Sequence, residues 1–214
     1  MSAFLAPIHT WLFNKILLAQ ELEQNIVKLH VDKYGKEISN IQDEAVQIYG
    51  DYLPNKQLED LINVNNIHGW LQERIKEVES RSSYIITRCF EKYNEESKKL
   101  TKEAYISQAK ECAKRDNNKT SLPEDVYISL NNYILAGMPC DRANSIIEKN
   151  EDFIVYEQNS GIYKNNFEAG KANLEYMSEL QELWVKTFVE SVEVKYSYET
   201  SKHGDVSKNQ IIKA

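Results

Sequence analysis

Glycine and proline are scarce in this chain, seven and four among 214 residues. Sandwiches and barrels need a turn roughly every ten residues, so this scarcity argues against an all-β design and for long helices. Cysteine is scarcer still. Cys89, Cys112 and Cys140 are odd in number and show no C-x-x-C spacing, which speaks against a disulfide framework and fits a reducing cytoplasm. Arginine is rare, at five against 21 lysines, and no basic run occurs in a chain of net charge −7. Nucleic acid and anionic membrane are therefore disfavoured as partners. No apolar stretch reaches the roughly 18 to 20 residues of a membrane span. The apolar segment from Phe4 to Leu18 lacks a basic flank and a cleavage site, and His9, Thr10, Asn14 and Lys15 interrupt it. A cytoplasmic protein is expected. Phosphate loops, dinucleotide fingerprints, nucleophile elbows and Ser/His/Asp orders are missing as well.

What is present is an ordinary globular balance, 42% hydrophobic and 28% charged residues, at a length sufficient for one substantial core. The periodicity predicts an all-α fold: a single-domain bundle of six to eight helices around three long ones, over residues 1–199. Residues 200–214 read as a polar, disordered tail. The first long helix should start at Pro7, where a missing N–H costs nothing, and stop at Gly35. A shorter one follows to Gly50. The second long helix is capped by Asn65 or Asn66 and runs to about Asn94, with Ile67, Leu71, Ile75, Val78, Ile85 and Cys89 on one stripe. Further helices are expected over 102–115, from Pro123 to Gly137, from Asp141 to Lys149 and from Lys171 to Tyr198, with a loop over 116–120. Phe153-Ile154-Val155-Tyr156 has strand character but no evident partner.

One short pattern occurs twice. Ile8-His9-Thr10-Trp11-Leu12-Phe13-Asn14-Lys15-Ile16 and Ile67-His68-Gly69-Trp70-Leu71-Gln72-Glu73-Arg74-Ile75 share five of nine positions. On a helix the two Ile and the Leu span about 80°, with His near 100° and Trp near −60°. The pattern is thus a core-building stripe with an imidazole and an indole on its margins, in the first turn of each long helix. If the helix between them reverses the chain, His9 and His68 lie at one end of the bundle.

Arg74, Arg81 and Arg88 stand at heptad spacing on the second long helix, in one row beside its apolar stripe. In a lysine-rich chain, arginine points to planar, bidentate partners. Acids of a neighbouring helix are one such partner, and Glu23 qualifies because it falls inside the first helix's apolar stripe, as Lys15 and His30 also do. An anionic small molecule is the other. The functional expectation is a pocket lined by His9, Trp11, His68, Trp70, Arg74 and Arg81, binding a small anionic ligand or a metal-containing cofactor. In that reading His9 and His68 are metal ligands or acid/base groups and Arg74 an anion clamp, although no H-x₃-H or E-x-x-H spacing supports a metal. The rival expectation is a non-catalytic interaction module, a homodimer in its simplest form. A third places a reactive thiol at Cys140, beside a helix start.

Overall fold

The computed structural model describes residues 5–63, 65–116 and 120–214. Two expectations fall partly outside them: the apolar start at Phe4, and the loop at Asn117–Lys119.

Six α-helices and four strands are formed among the described residues. Helix α1 (Pro7–Tyr34) opens with proline in its first turn, and the His9 ring accepts the amide of Ala6 as a side-chain cap. Gly35, at a φ of 73°, ends it and passes the chain into α2 (Lys36–Tyr49). Asn66 caps α3 (Ile67–Arg115), its side chain accepting from the Gly69 amide. The long helix is broken once, at Asn94, whose φ of 52° and ψ of −136° are non-helical.

That break reverses the chain. Before it, His68 and Arg81 meet His9 and Glu23 in step, so the first arm of α3 runs parallel to α1. After it, Ser97 meets His30, but Gln108 meets Leu18, so the second arm returns antiparallel. At about 1.5 Å per residue, 11 residues along the arm match 12 backwards along α1. The turn also carries Tyr105 back beside Glu79, close enough for the carboxylate to act on the phenol.

Helices α4 (Pro123–Asn131), α5 (Gly161–Ala169) and α6 (Leu174–Ser191) complete the helical part. The C-terminus of α5 lies hard against α3. A Cβ on Gly170 would stand 2.6 Å from the Ser80 carbonyl oxygen and 2.8 Å from the Tyr84 amide nitrogen. Only glycine fits there, and the buried Ser80 and Ser83 keep that face of α3 small.

The all-α expectation is overturned by an antiparallel sheet of four strands in the order β1-β2-β4-β3. The strands are β1 (Asn144–Lys149), β2 (Phe153–Asn159), β3 (Tyr196–His203) and β4 (Val206–Lys213). A strand thus replaces the helix expected from Asp141 to Lys149, and the last long helix stops at Ser191 rather than near Tyr198. Residues 200–213, expected as a disordered tail, hold the end of β3 and the whole of β4, and β4 is the strand β2 needed, with Ile154 opposite Ile211 and Tyr156 opposite Asn209. They read as a tail because their inner face is partly polar. Asn209 is nevertheless only 2% exposed, since every polar end is matched. Its oxygen accepts from Tyr198 and Thr200, and its amide donates to the Ser207 carbonyl and hydroxyl oxygens. A satisfied polar group of this kind costs little to bury.

The largest core joins the second arm of α3, α4, α5 and α6 to the inner face of the sheet, around Trp184, Phe188, Leu180 and Tyr156. A second joins the starts of α1 and α3 through Leu12, Phe13, Ile16, Leu71 and Ile75, the residues of the repeated pattern. Among the described residues no helix is long and apolar enough to cross a membrane.

Candidate functional site

The two histidines do meet. His9 Nε2 and His68 Nε2 are 3.3 Å apart, at the common N-terminal end of α1 and α3. An amide can only donate, so the Ala6 N–H fixes Nδ1 of His9 as an acceptor and leaves the ring proton on Nε2. That proton is then donated to His68. The arrangement is a neutral imidazole pair used as a helix cap, and it leaves His9 Nε2 without a lone pair for a metal. Burial and the neighbouring His68 ring both push the His9 pKa down. No third donor joins them: among the described residues no group of three or more His, Cys, Asp or Glu side chains is placed to hold a metal ion.

The other expected site residues are engaged elsewhere. Trp11 donates from Nε1 to Asn132, and Trp70 packs beside Phe13 with the Arg74 guanidinium 5.4 Å from its ring centroid. Arg74 is paired with Glu77 at 2.6 Å and Glu73 at 3.1 Å. Arg88 pairs with Glu91 on its own helix.

Arg81 takes the partner its position beside the stripe suggested. It is 1% exposed and donates from Nε to Glu23, itself 0% exposed, at 2.8 Å. Its Nη1 donates to the carbonyls of Gly50 and Asp51, and Tyr52 lies under the guanidinium while donating to the same Glu23 oxygen. With these bonds made, Arg81 is a structural clasp between α1, α3 and the chain after α2. His30 is likewise satisfied, donating from Nδ1 to the Ile26 carbonyl and accepting at Nε2 from Ser97. Cys140 is exposed on a single turn (Pro139–Asp141).

The concave site lies further along the same two helices. A half-open pocket of about 130 Å³ is bounded by α1, both arms of α3, α5, α6 and the chain after α4. Its walls are largely apolar or aromatic, from Leu18, Leu22 and Val78 to Tyr163, Phe167 and Trp184. Set into them are two ionisable groups, Lys15 on α1 and Glu79 on α3. Lys15 is 4% exposed and has neither an ion pair nor a hydrogen bond among the described residues. Its Nζ sits 3.7 Å from the centroid of the Trp11 ring. Burial pushes its pKa down to about 7. Glu79 is 9% exposed, and one of its oxygens accepts from Asn166 at 2.7 Å. Burial pushes its carboxyl up to about 8, against the opposing pull of that amide.

Tyr105 also lines the pocket, with its pKa raised by burial and by the nearby Tyr176 and Glu79. Gln108, by contrast, is used up at both ends, donating to the Leu18 carbonyl and accepting from Trp184. The site therefore holds an amine and a carboxyl whose environments favour their neutral forms, in an apolar recess. Perturbed titratable groups of this kind concentrate at functional sites. Lys15 was visible in the sequence as a cation inside an apolar stripe. Glu79 was not, because the Asn94 turn, α5 and α6 are what enclose it.

The chain matches no protein-family model and no curated protein sequence.

Proposed function

We propose that the protein binds a small, largely apolar molecule carrying one anionic group, a carboxylate foremost, in the pocket between α1, α3 and α6. The supporting observation is Lys15, a buried cation that lines this pocket and has no acid of its own. A lone buried ammonium is costly, and an anion arriving with the ligand removes that cost on binding. The volume suits the same class. A dry cavity of roughly 150 Å³ takes up benzene, so a pocket of about 130 Å³ suits an occupant of that order of size. The arginines expected to clamp the anion are committed to Glu23, Glu73, Glu77 and Glu91, and Lys15 takes over their role. A metal-containing cofactor finds no comparable support.

Thermal unfolding in butyrate, hexanoate and benzoate tests the reading. The expected result is a Tm that rises with ligand concentration in the wild type, more at pH 6 than at pH 8.5, because Lys15 is protonated below about 7. The rise is lost in Lys15→Met. No shift with any of the three, or a shift of the same size in Lys15→Met, overturns it.

A further inference from the structure

We propose that this pocket also takes small aldehydes or ketones, that the Lys15 amine condenses with them to an imine, and that Glu79 is the acid that expels water. The inference rests on the binding reading above and names a second ligand chemistry for the same recess.

An imine-forming lysine must present an unprotonated nitrogen to a carbonyl carbon in a site poor in water. Lys15 meets both conditions by position. It is 4% exposed, no carboxylate pairs with it, and an indole face rather than an anion lies against its Nζ. With its pKa near 7, much of it is free base at neutral pH, unlike an ordinary surface lysine. Glu79 faces the same pocket from α3, with one oxygen held by Asn166 and the other making no hydrogen bond among the described residues. At neutral pH this carboxyl still carries its proton. Apolar walls from Leu18, Val78 and Phe167 limit hydrolysis of the product.

The step balances without any further reactant. The Nζ lone pair forms a bond to the carbonyl carbon, and transfer of one amine proton to the carbonyl oxygen gives a carbinolamine. Glu79 protonates the hydroxyl, the carbon–oxygen bond breaks, and water leaves. The iminium nitrogen then returns its proton to the Glu79 carboxylate. One amine and one carbonyl become one imine and one water, and nothing is oxidised or reduced.

Incubating the whole protein with pentanal or benzaldehyde and sodium cyanoborohydride, at about pH 7.5, traps an imine as a secondary amine. Peptide mass mapping then reads which of the 21 lysines carries it. The expected result is labelling of Lys15 at least about tenfold faster than any other lysine, since burial lowers its pKa to about 7 and frees its amine. Glu79→Gln, which keeps the shape and the contact to Asn166, slows Lys15 labelling at least about tenfold, in the range usual for a general acid. Labelling spread evenly over surface lysines overturns the proposal, and an unchanged rate in Glu79→Gln overturns the part given to Glu79. If carboxylates raise the Tm but Lys15 stays unlabelled, the imine fails and the binding reading stands. If neither occurs, both fail.

Discussion

Arg81 and Lys15 are two cations buried to nearly the same degree, 1% and 4% exposed, on helices that pack side by side. Their surroundings are opposite. Arg81 has a carboxylate, two backbone carbonyls and a tyrosine ring, and its contacts tie three segments of chain together. Lys15 has one indole face and a pocket. The lesson is that burial of a charge does not distinguish structure from function. A buried charge that ties a carboxylate and two carbonyls together is a clasp, whereas a buried charge without an acid, set in the wall of a pocket, is the one on which the binding proposal rests.

The comparison breaks most readily at the clasp. Arg81→Ala leaves Glu23 buried at 0% exposure without its cation. The expected loss is about 3 to 5 kcal/mol in urea unfolding, as when one member of a buried pair is removed. A loss below about 1 kcal/mol, the range of an exposed pair, would mean that the clasp is decoration.

Lys15→Met sharpens the contrast by having the opposite sign. Removing an unpaired buried cation should raise stability, by roughly 2 to 3 kcal/mol at pH 6, with the loss of the Trp11 contact offsetting part of a larger gain. The sign with pH follows from the depressed pKa. The unfolded chain holds the Lys15 proton up to about 10.5, the folded protein only to about 7. Between those values the unfolded state binds more protons, so wild-type stability rises with pH and the advantage of Lys15→Met shrinks. An advantage that is flat from pH 6 to pH 10 would show that Lys15 is not desolvated. A variant less stable than wild type at pH 6 would place Lys15 with the structural cations.

How much of this was legible in the sequence follows from which contacts are local. The repeated pattern correctly located the N-termini of α1 and α3 at one end, because helix phase and the direction of α2 decide it. Glu23, Lys15 and His30 could be picked out as misfits in an apolar stripe, and the structure gives each a different reason: a clasp, a pocket and a satisfied hydrogen-bond pair. Asn94 could be read as an end, but not as a reversal that brings Tyr105 back to Glu79. The sheet was hidden for the opposite reason. Strand β4 buries Ser207 and Asn209 beside Ile211, so its inner face lacks the apolar alternation that marks a strand. Only its pairing with β2 and β3 makes the burial affordable. Long-range partners, not propensity, decide such segments.

The smallest expected effect belongs to the histidine pair, which carries no buried charge at all. His9 caps α1 through Nδ1 and reaches His68 through Nε2, and the Nδ1 cap requires the neutral ring. His9→Ala should cost about 0.5 to 1 kcal/mol at pH 7.5, the lower part of the range for a helix cap. The His9 pKa is lowered in the fold, so the unfolded chain takes up this proton first as pH falls below about 6.5. The pair's contribution is therefore present above that pH and is lost below it, until the folded ring titrates too. Urea unfolding of wild type and His9→Ala at pH 7.5 and pH 5 reads the difference. Convergence of the two proteins at pH 5 is expected. An equal gap at both pH values would mean that the ring contributes by packing alone, and a gap that widens at pH 5 would mean that the charged form is the one the fold prefers.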